Sequence, residues 1–308
     1  MDRKPGDGPA PFRSGFVAIV GAPNAGKSTL LNTLLGEKIS IVTEKPQTTR
    51  RAVRGILSAA EYQIVFLDTP GILTPAYLLH EHMMREAGAA VADADLILHV
   101  VDAPQAIGSG GRAEDAALGS VRDAAKPALL VLNKVDRAEK QLLLPLMAAY
   151  AVAYPYREIL PVSALRKEGI QGLPAMIAQL LPEHPPYYPS DIVSDQEERF
   201  FVAEIIREKI FRKTVRELPY AATVQIVQFA ERREGKWFIS AEVYVERDSQ
   251  KAIVIGKNGA MLREIGRLAR SDIETFLGHP VYLELHVRVR KWRDDPPWLG
   301  RLGYGSAR

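Results

Sequence analysis

"GAPNAGKST" (Gly21–Thr29) is preceded by the apolar run "FVAIV" (Phe16–Val20) and followed by "LLNTLLGE" (Leu30–Glu37). An unbroken apolar run ending at glycine reads as a buried strand, and the leucines after Ser28 fall at helical spacing. Between them, Gly21 to Ser28 fit G-x-x-x-x-G-K-S/T in the strand-to-helix setting that this pattern requires. Such a turn points successive backbone N–H groups inward, and the helix N-terminus adds partial positive charge, so the stretch predicts a phosphate cradle. Candidate nucleotide contacts are therefore Gly21, Ala22, Pro23, Asn24, Ala25, Gly26, Lys27, Ser28 and Thr29. Lys27 would reach the β and γ phosphates, and Ser28 would bind Mg²⁺.

The same grammar repeats outward from this turn. "YQIVFLD" (62–68), "DLILHVVD" (95–102), "PALLVLNKVD" (127–136) and "EILPVSA" (158–164) alternate with helical patterns. Apolar runs separated by helices predict a doubly wound, mainly parallel α/β domain over residues 15–183. The prolines of "LPEHPPYYPSD" (181–191) then break any regular element, which predicts a linker at 184–195 that lets two domains reorient. Beyond it, "SDQEERFFVAEIIREKIFRKT" (194–214) reads as a helix capped by Ser or Asp, and "ATVQIVQFAER" and "KWFISAEVYVER" as strands joined through "REGK". "KAIVIGKNGAMLREIGRLARSDIETFL" (251–277) gives two helices around a glycine turn, and "PVYLELHVRVRKW" (280–292) a final strand. The order α, β, β, α, α, β makes residues 196–308 a smaller α+β domain.

Composition narrows the function classes. The 308 residues include no cysteine, which removes disulfides, thiolate nucleophiles and Cys-based metal sites, and fits a reducing cytosol. His80 and His82 stand two apart and suit neither face of a helix as metal ligands. Residues 1–14 lack the apolar core of a signal peptide and read as a flexible tail. Nowhere do about 18 consecutive apolar residues occur, so no spanning helix is expected, while peripheral membrane contact stays open. The net charge of +3 is unevenly spread: from Glu197 onward 21 basic residues face 16 acidic, and after Gln250 the balance is 11 to 6. The C-terminal part is built for a polyanion.

Other segments choose the nucleotide. In "DTPG" (Asp68, Thr69, Pro70, Gly71), Asp68 can hold a magnesium-bound water and the Gly71 N–H can meet a γ-phosphate. In "NKVD" (133–136), the Asp136 carboxylate can accept from both N1–H and N2–H of guanine, a pair adenine does not offer, while Asn133 and the stem of Lys134 brace the base. Ser163 and Ala164 of "VSA" can present a backbone N–H to guanine O6. Each motif ends an apolar strand, where α/β sheets bind ligands.

With these motifs in this order, the sequence resembles the translation-factor-like small GTPases, and "KPQTTRRAVRGI" (45–56) resembles the first switch of the Era family. The resemblance implies GTP and GDP as ligands with Mg²⁺, and a threonine that completes the magnesium shell: Thr49, with Thr48 as the alternate. It makes Lys27, Thr49 and Gly71 the catalytic set and Ser28, Thr49 and Asp68 the metal ligands. Ile72 stands where Ras-like proteins carry the glutamine that orients the attacking water, which predicts slow intrinsic hydrolysis raised by a partner.

"GKNG" (256–259) sits where a type II KH domain has its GxxG turn, beside Lys251, Lys257, Arg263, Arg267 and Arg270. In a KH fold that turn meets a nucleic-acid backbone and an apolar groove receives about four unstacked bases. Candidate RNA contacts are Lys251, Ile255, Gly256, Lys257, Asn258, Gly259, Arg263, Arg267, Arg288, Arg290 and Lys291, and the groove is expected to use Ile253, Ile255, Met261 and Ile265. Trp292 either stacks on a base or finishes the core. "VRVRKWRDDPPWLGRLGY" also resembles the Era family's C-terminal signature, so the likeness spans residues 16–304. It implies a cytoplasmic monomer that binds the 3′ end of 16S rRNA and serves assembly of the 30S subunit precursor, with peripheral membrane contact open. The alternative from another class is a constitutive RNA-binding protein whose nucleotide is a structural ligand.

Overall fold

A computed structural model describes residues 11–43, 45, 48–111, 116–214 and 217–304. The tail expected at 1–14 falls outside these residues through position 10, and the first strand begins already at Arg13. The chain forms two compact units: the first comprises 1–40, 49–73 and 84–195, the second 41–48, 74–83 and 196–308. Among the described residues no helix is long and apolar enough to cross a membrane.

The first unit is built on a six-stranded sheet of order β2-β3-β1-β4-β5-β6. Its strands are β1 (Arg13–Val20), β2 (Val53–Ser58), β3 (Tyr62–Asp68), β4 (Leu96–Asp102), β5 (Ala128–Asn133) and β6 (Glu158–Pro161). All pairs are parallel except β2 with β3, which gives the mainly parallel, doubly wound sheet expected. Every residue of β5 is buried, as a central parallel strand covered on both faces requires. Helices α1 (Lys27–Leu35), α2 (Leu78–Asp93), α3 (Ala103–Gly108), α4 (Ala116–Ala124) and α5 (Lys140–Ala153) lie between the strands, and α6 (Leu173–Leu180) follows β6. Between β4 and β5 stand two helices, α3 and α4, with residues 112–115 outside the described set.

Residues 184–195 are not a free linker. The buried Gln63 side chain accepts from the Tyr187 and Tyr188 N–H groups (2.7 and 3.0 Å) and donates to the Tyr188 carbonyl (2.8 Å). The Ile56 N–H donates to the Val193 carbonyl at 2.8 Å, and Arg54 pairs with Asp195 at 2.6 Å. Proline removes donors, but Tyr187 and Tyr188 keep theirs, so the proline-rich strap bonds through these N–H groups to Gln63 and through the Val193 carbonyl to the edge strand β2.

The second unit carries the three-stranded sheet β7 (Thr223–Ala230), β8 (Trp237–Val245) and β9 (Val281–Val289), with β7 antiparallel and β9 parallel to the central β8. Against it pack α7 (Glu198–Lys213), the short α8 (Leu218–Ala221), α9 (Asp248–Ile255) and α10 (Ala260–Leu277), and α11 (Pro296–Arg301) follows β9. The core joins Ile206 and Ile210 of α7, Ile265, Ala269 and Ile273 of α10, and Val243 of β8. Helix α7 has Glu197 at its N-cap position and no side-chain cap, so the Ser or Asp expected there does not serve. Trp292 is fully buried and donates its indole N–H to the Ala221 carbonyl at 3.0 Å: it finishes the core.

Candidate functional site

The turn between β1 and α1 takes two left-handed residues, Asn24 (φ 65°) and Gly26 (φ 95°), and α1 begins without a side-chain cap. Its first-turn N–H groups are thus left for a ligand, as in an anion nest. A Cβ at Gly26 would stand 2.2 Å from Asn133 Nδ2, and one at Gly71 2.7 Å from Pro23 Cα. Glycine is required at Gly71 for close approach, and at Gly26 for close approach and for its left-handed φ.

Lys27 is buried and donates to the Gly21 and Ala22 carbonyls, both at 3.0 Å. Burial pushes its ammonium down to about 8, with nearby Asp68 opposing the shift. Asp68 is fully buried at the end of β3, and burial holds its carboxyl above the usual range against the Ser28 hydrogen bond and Lys27. The Ser28 hydroxyl donates to Asp68 Oδ2 at 2.7 Å and lies 2.9 Å from Thr49 Oγ1. Ser28, Thr49 and Asp68 are thereby brought together, whereas Thr48 turns to Thr43 Oγ1 (2.9 Å). Asp68 Oδ1 is buried and has no hydrogen-bond partner among the described residues. An orphaned carboxylate oxygen beside two hydroxyls is an all-oxygen donor set that fits Mg²⁺. Thr69, by contrast, is buried and spends its hydroxyl on the Ile19 carbonyl at 2.8 Å.

At the C-terminal end of β5, Asn133 Nδ2 donates to the Ala25 carbonyl (2.9 Å), while Oδ1 accepts from the Lys134 N–H (2.8 Å) and the Ala164 N–H (3.0 Å). Lys134 is left-handed (φ 64°), and its ammonium pairs with Asp102 at 2.5 Å, laying the stem across the turn. The Ser163 hydroxyl donates to Asp136 Oδ1 at 2.7 Å, which orients a carboxylate only 6% exposed. Asp102 is a member of this site that motif reading missed. The one sequence signal for it is an acid ending an apolar strand.

In the second unit, the turn after α9 is left-handed at Gly256 (φ 72°), Asn258 (φ 52°) and Gly259 (φ 75°). A groove of about 570 Å³ opens beside it, lined by Asn258, Gly259, Leu262, Arg263, Gly266, Arg267, Arg270, Tyr282, Leu283 and Leu285. The apolar wall is therefore Leu262, Leu283 and Leu285 with Tyr282, not Ile253, Ile255, Met261 and Ile265. Ile265 is wholly inside the core, Ile255 and Met261 pack against it, and Ile253 does not line the groove. Lys251, Gly256 and Lys257 flank the turn on α9 and its end. Arg288 and Arg290 lie on and after β9 outside the groove, paired with Glu242 (3.2 Å) and Asp295 (2.9 Å), and the adjacent Lys291 is exposed. Arg263 bonds back to the Asn258 carbonyl at 3.0 Å, and Arg267 pairs with Glu264, which sits at about 2 because of Arg267 and Lys213.

Comparison with known proteins agrees with this division. Residues 16–134 match the family described as 50S ribosome-binding GTPase, and residues 217–293 match the KH domain. The chain is 49% identical to GTPase Era of Geobacter metallireducens over 96% of its length and 98% of that protein's. It is 46% identical to GTPase Era of Syntrophus aciditrophicus over 99% and 100%. Among solved structures it is similar to an Aquifex aeolicus Era variant bound to GDP·AlF4⁻ (38% identity, TM-score 0.90, covering 96% of this chain and 100% of that one). It is equally similar to Era in complex with MgGDPNP and nucleotides 1506–1542 of 16S ribosomal RNA (39% identity, TM-score 0.90, with the same coverage).

Proposed function

Since this chain belongs to the Era family of GTPases, we propose that it is a GTP-hydrolysing switch whose second unit binds the 3′ end of 16S rRNA in maturation of the small ribosomal subunit. The observation that carries this reading is Asn133, which joins the phosphate loop to the base-selecting loops in one hydrogen-bonded piece. Asp136 selects guanine through its two oxygens, and the backbone of Gly21–Thr29 holds the phosphates with Lys27. Ser28, Asp68 and Thr49 would hold Mg²⁺, which when bound offsets charge on the β and γ phosphates. The Gly71 N–H reports the γ-phosphate. Ile72 offers no group to orient water, so the intrinsic rate is slow.

The GKNG turn takes the RNA backbone and the Tyr282 groove takes unstacked bases. The family description of residues 16–134 names the large subunit, but a relative solved with small-subunit RNA covers 96% of the chain rather than one domain, and our reading follows it. We place the protein in the cytoplasm, acting as a monomer. The test is affinity for an RNA of the 16S 3′ end with GTP analogue and with GDP. Different affinities support the switch. Equal affinities, with single-turnover hydrolysis absent, leave a constitutive RNA binder with a structural nucleotide.

A further inference from the structure

Helix α2 follows the Gly71 segment, and its first-turn N–H groups need acceptors that the preceding "TPAY" (74–77) supplies only in part. The His80 and Glu81 N–H groups donate to the Tyr77 carbonyl at 2.9 and 3.3 Å. The Leu78 and Leu79 N–H groups have no such local acceptor. Within the second unit, Leu78 N–H donates to Asp294 Oδ1 at 3.0 Å and Leu79 N–H to the Arg293 carbonyl at 3.0 Å. A cap 216 positions away in sequence thus completes the start of this helix.

The capping loop is itself fixed. Glu246 Oε1 accepts from the Trp292 and Arg293 N–H groups at 3.0 and 3.3 Å, and the buried Trp292 anchors the loop to the core. The Arg293 guanidinium lies 4.6 Å from the Tyr77 ring centroid, and Tyr77 packs on His80 at 3.7 Å. A carboxylate at a helix N-terminus also meets the positive end of the helix dipole. We propose that Asp294 is a positioning residue for GTP hydrolysis: by capping α2 it fixes the chain that runs on from Gly71, the residue that meets the γ-phosphate. This rests on the GTPase reading above.

The test uses the full chain, with Asp294→Ala and Asp294→Asn, reading amide hydrogen exchange at Leu78 and Leu79 together with kcat, KM and GDP affinity. Losing an Asp cap speeds exchange about fivefold. The alanine variant is expected to show that increase and a several-fold lower kcat with KM and GDP affinity held, and the asparagine variant, which keeps the acceptor, is expected to restore both. Unchanged exchange in the alanine variant, or an asparagine variant as impaired as alanine, overturns the cap. Faster exchange with unchanged kcat overturns the positioning role. If the wild type bound GDP without hydrolysing GTP, the GTPase reading would fail, while the exchange data would still decide the cap.

Discussion

Asn133 and Ala25 are joined by a 2.9 Å hydrogen bond from the Asn133 carboxamide to the Ala25 carbonyl, which ties the end of β5 to the phosphate turn 108 positions earlier. The same side chain accepts from Lys134 and Ala164, so one carboxamide holds three loops. Replacing it with alanine removes three bonds of about 1 kcal/mol each and leaves buried backbone groups unmatched. Asn133→Ala is expected to weaken GTP and GDP alike by roughly 10- to 100-fold, measured with fluorescent nucleotide analogues. A loss confined to one nucleotide would contradict a role in holding the frame.

The nucleotide loops were legible in the sequence because each is a local pattern at the end of an apolar strand. The preference for Thr49 over Thr48 came from the family resemblance alone, since adjacent threonines carry identical chemistry; the backbone path brings Thr49 to Ser28 and turns Thr48 to Thr43. The groove was misread for a related reason. Helix α10 is apolar on the side that enters the core as well as where Leu262 meets the groove, and periodicity alone does not say that Ile265 faces inward. Strand β2 went unread inside the switch-like stretch, and the strap at 184–195 is held by non-local bonds to Gln63, Ile56 and Arg54, more than 120 positions away in sequence. Residues 41–48 and 74–83 belong to the second unit through non-local bonds, such as Lys45 donating to the Phe211 and Thr214 carbonyls at the end of α7.

With Lys27 on the phosphates as proposed, nucleotide binding is expected to be pH-dependent. Unfolded, its ammonium titrates at 10.5; folded and without ligand, near 8. Between those values the unfolded chain binds more protons, so stability of the nucleotide-free protein rises with pH across that window. Below pH 8 the buried charge costs about 3 kcal/mol. Phosphates restore the proton, so binding takes one up above pH 8. GDP affinity is expected to fall as pH rises from 8 to 9.5, approaching tenfold per unit, with proton uptake visible by calorimetry in buffers of different ionisation heat. A flat profile in wild type, or the same slope in Lys27→Met, would remove Lys27 as the cause.

The two glycines of the GKNG turn are not equivalent. A Cβ at Gly256 would meet Met261 Cβ at 2.6 Å and Met261 N at 2.9 Å, so backbone must shift as well as strain at φ 72°. At Gly259 nothing lies within 4 Å and only the left-handed φ of 75° opposes a side chain. Gly259→Ala is expected to cost about 1 kcal/mol. Gly256→Ala should cost more than about 2 kcal/mol, since overpacking adds to strain. Thermal melts of the two variants side by side check the order, and equal losses would show that the Met261 contact is relieved without cost.

Tyr282 and Arg270 line the same groove and should fail in different ways. Tyr282 is 53% exposed and its ring is stacked near-parallel with Phe238 (6.0 Å, 15°), which leaves its outer face for a base. Losing a stacked base costs about 1–3 kcal/mol with little electrostatic content. Tyr282→Ala is therefore expected to lower RNA affinity about 5- to 100-fold and leave the dependence of log affinity on log salt unchanged. If Arg270 sets its charge against an RNA phosphate, as the proposed function has it, Arg270→Ala should weaken all RNAs alike and reduce that slope by about one. Filter binding across a salt series separates the two. A changed slope in the tyrosine variant, or an unchanged slope in the arginine variant, would assign the groove a different division of work between stacking and charge.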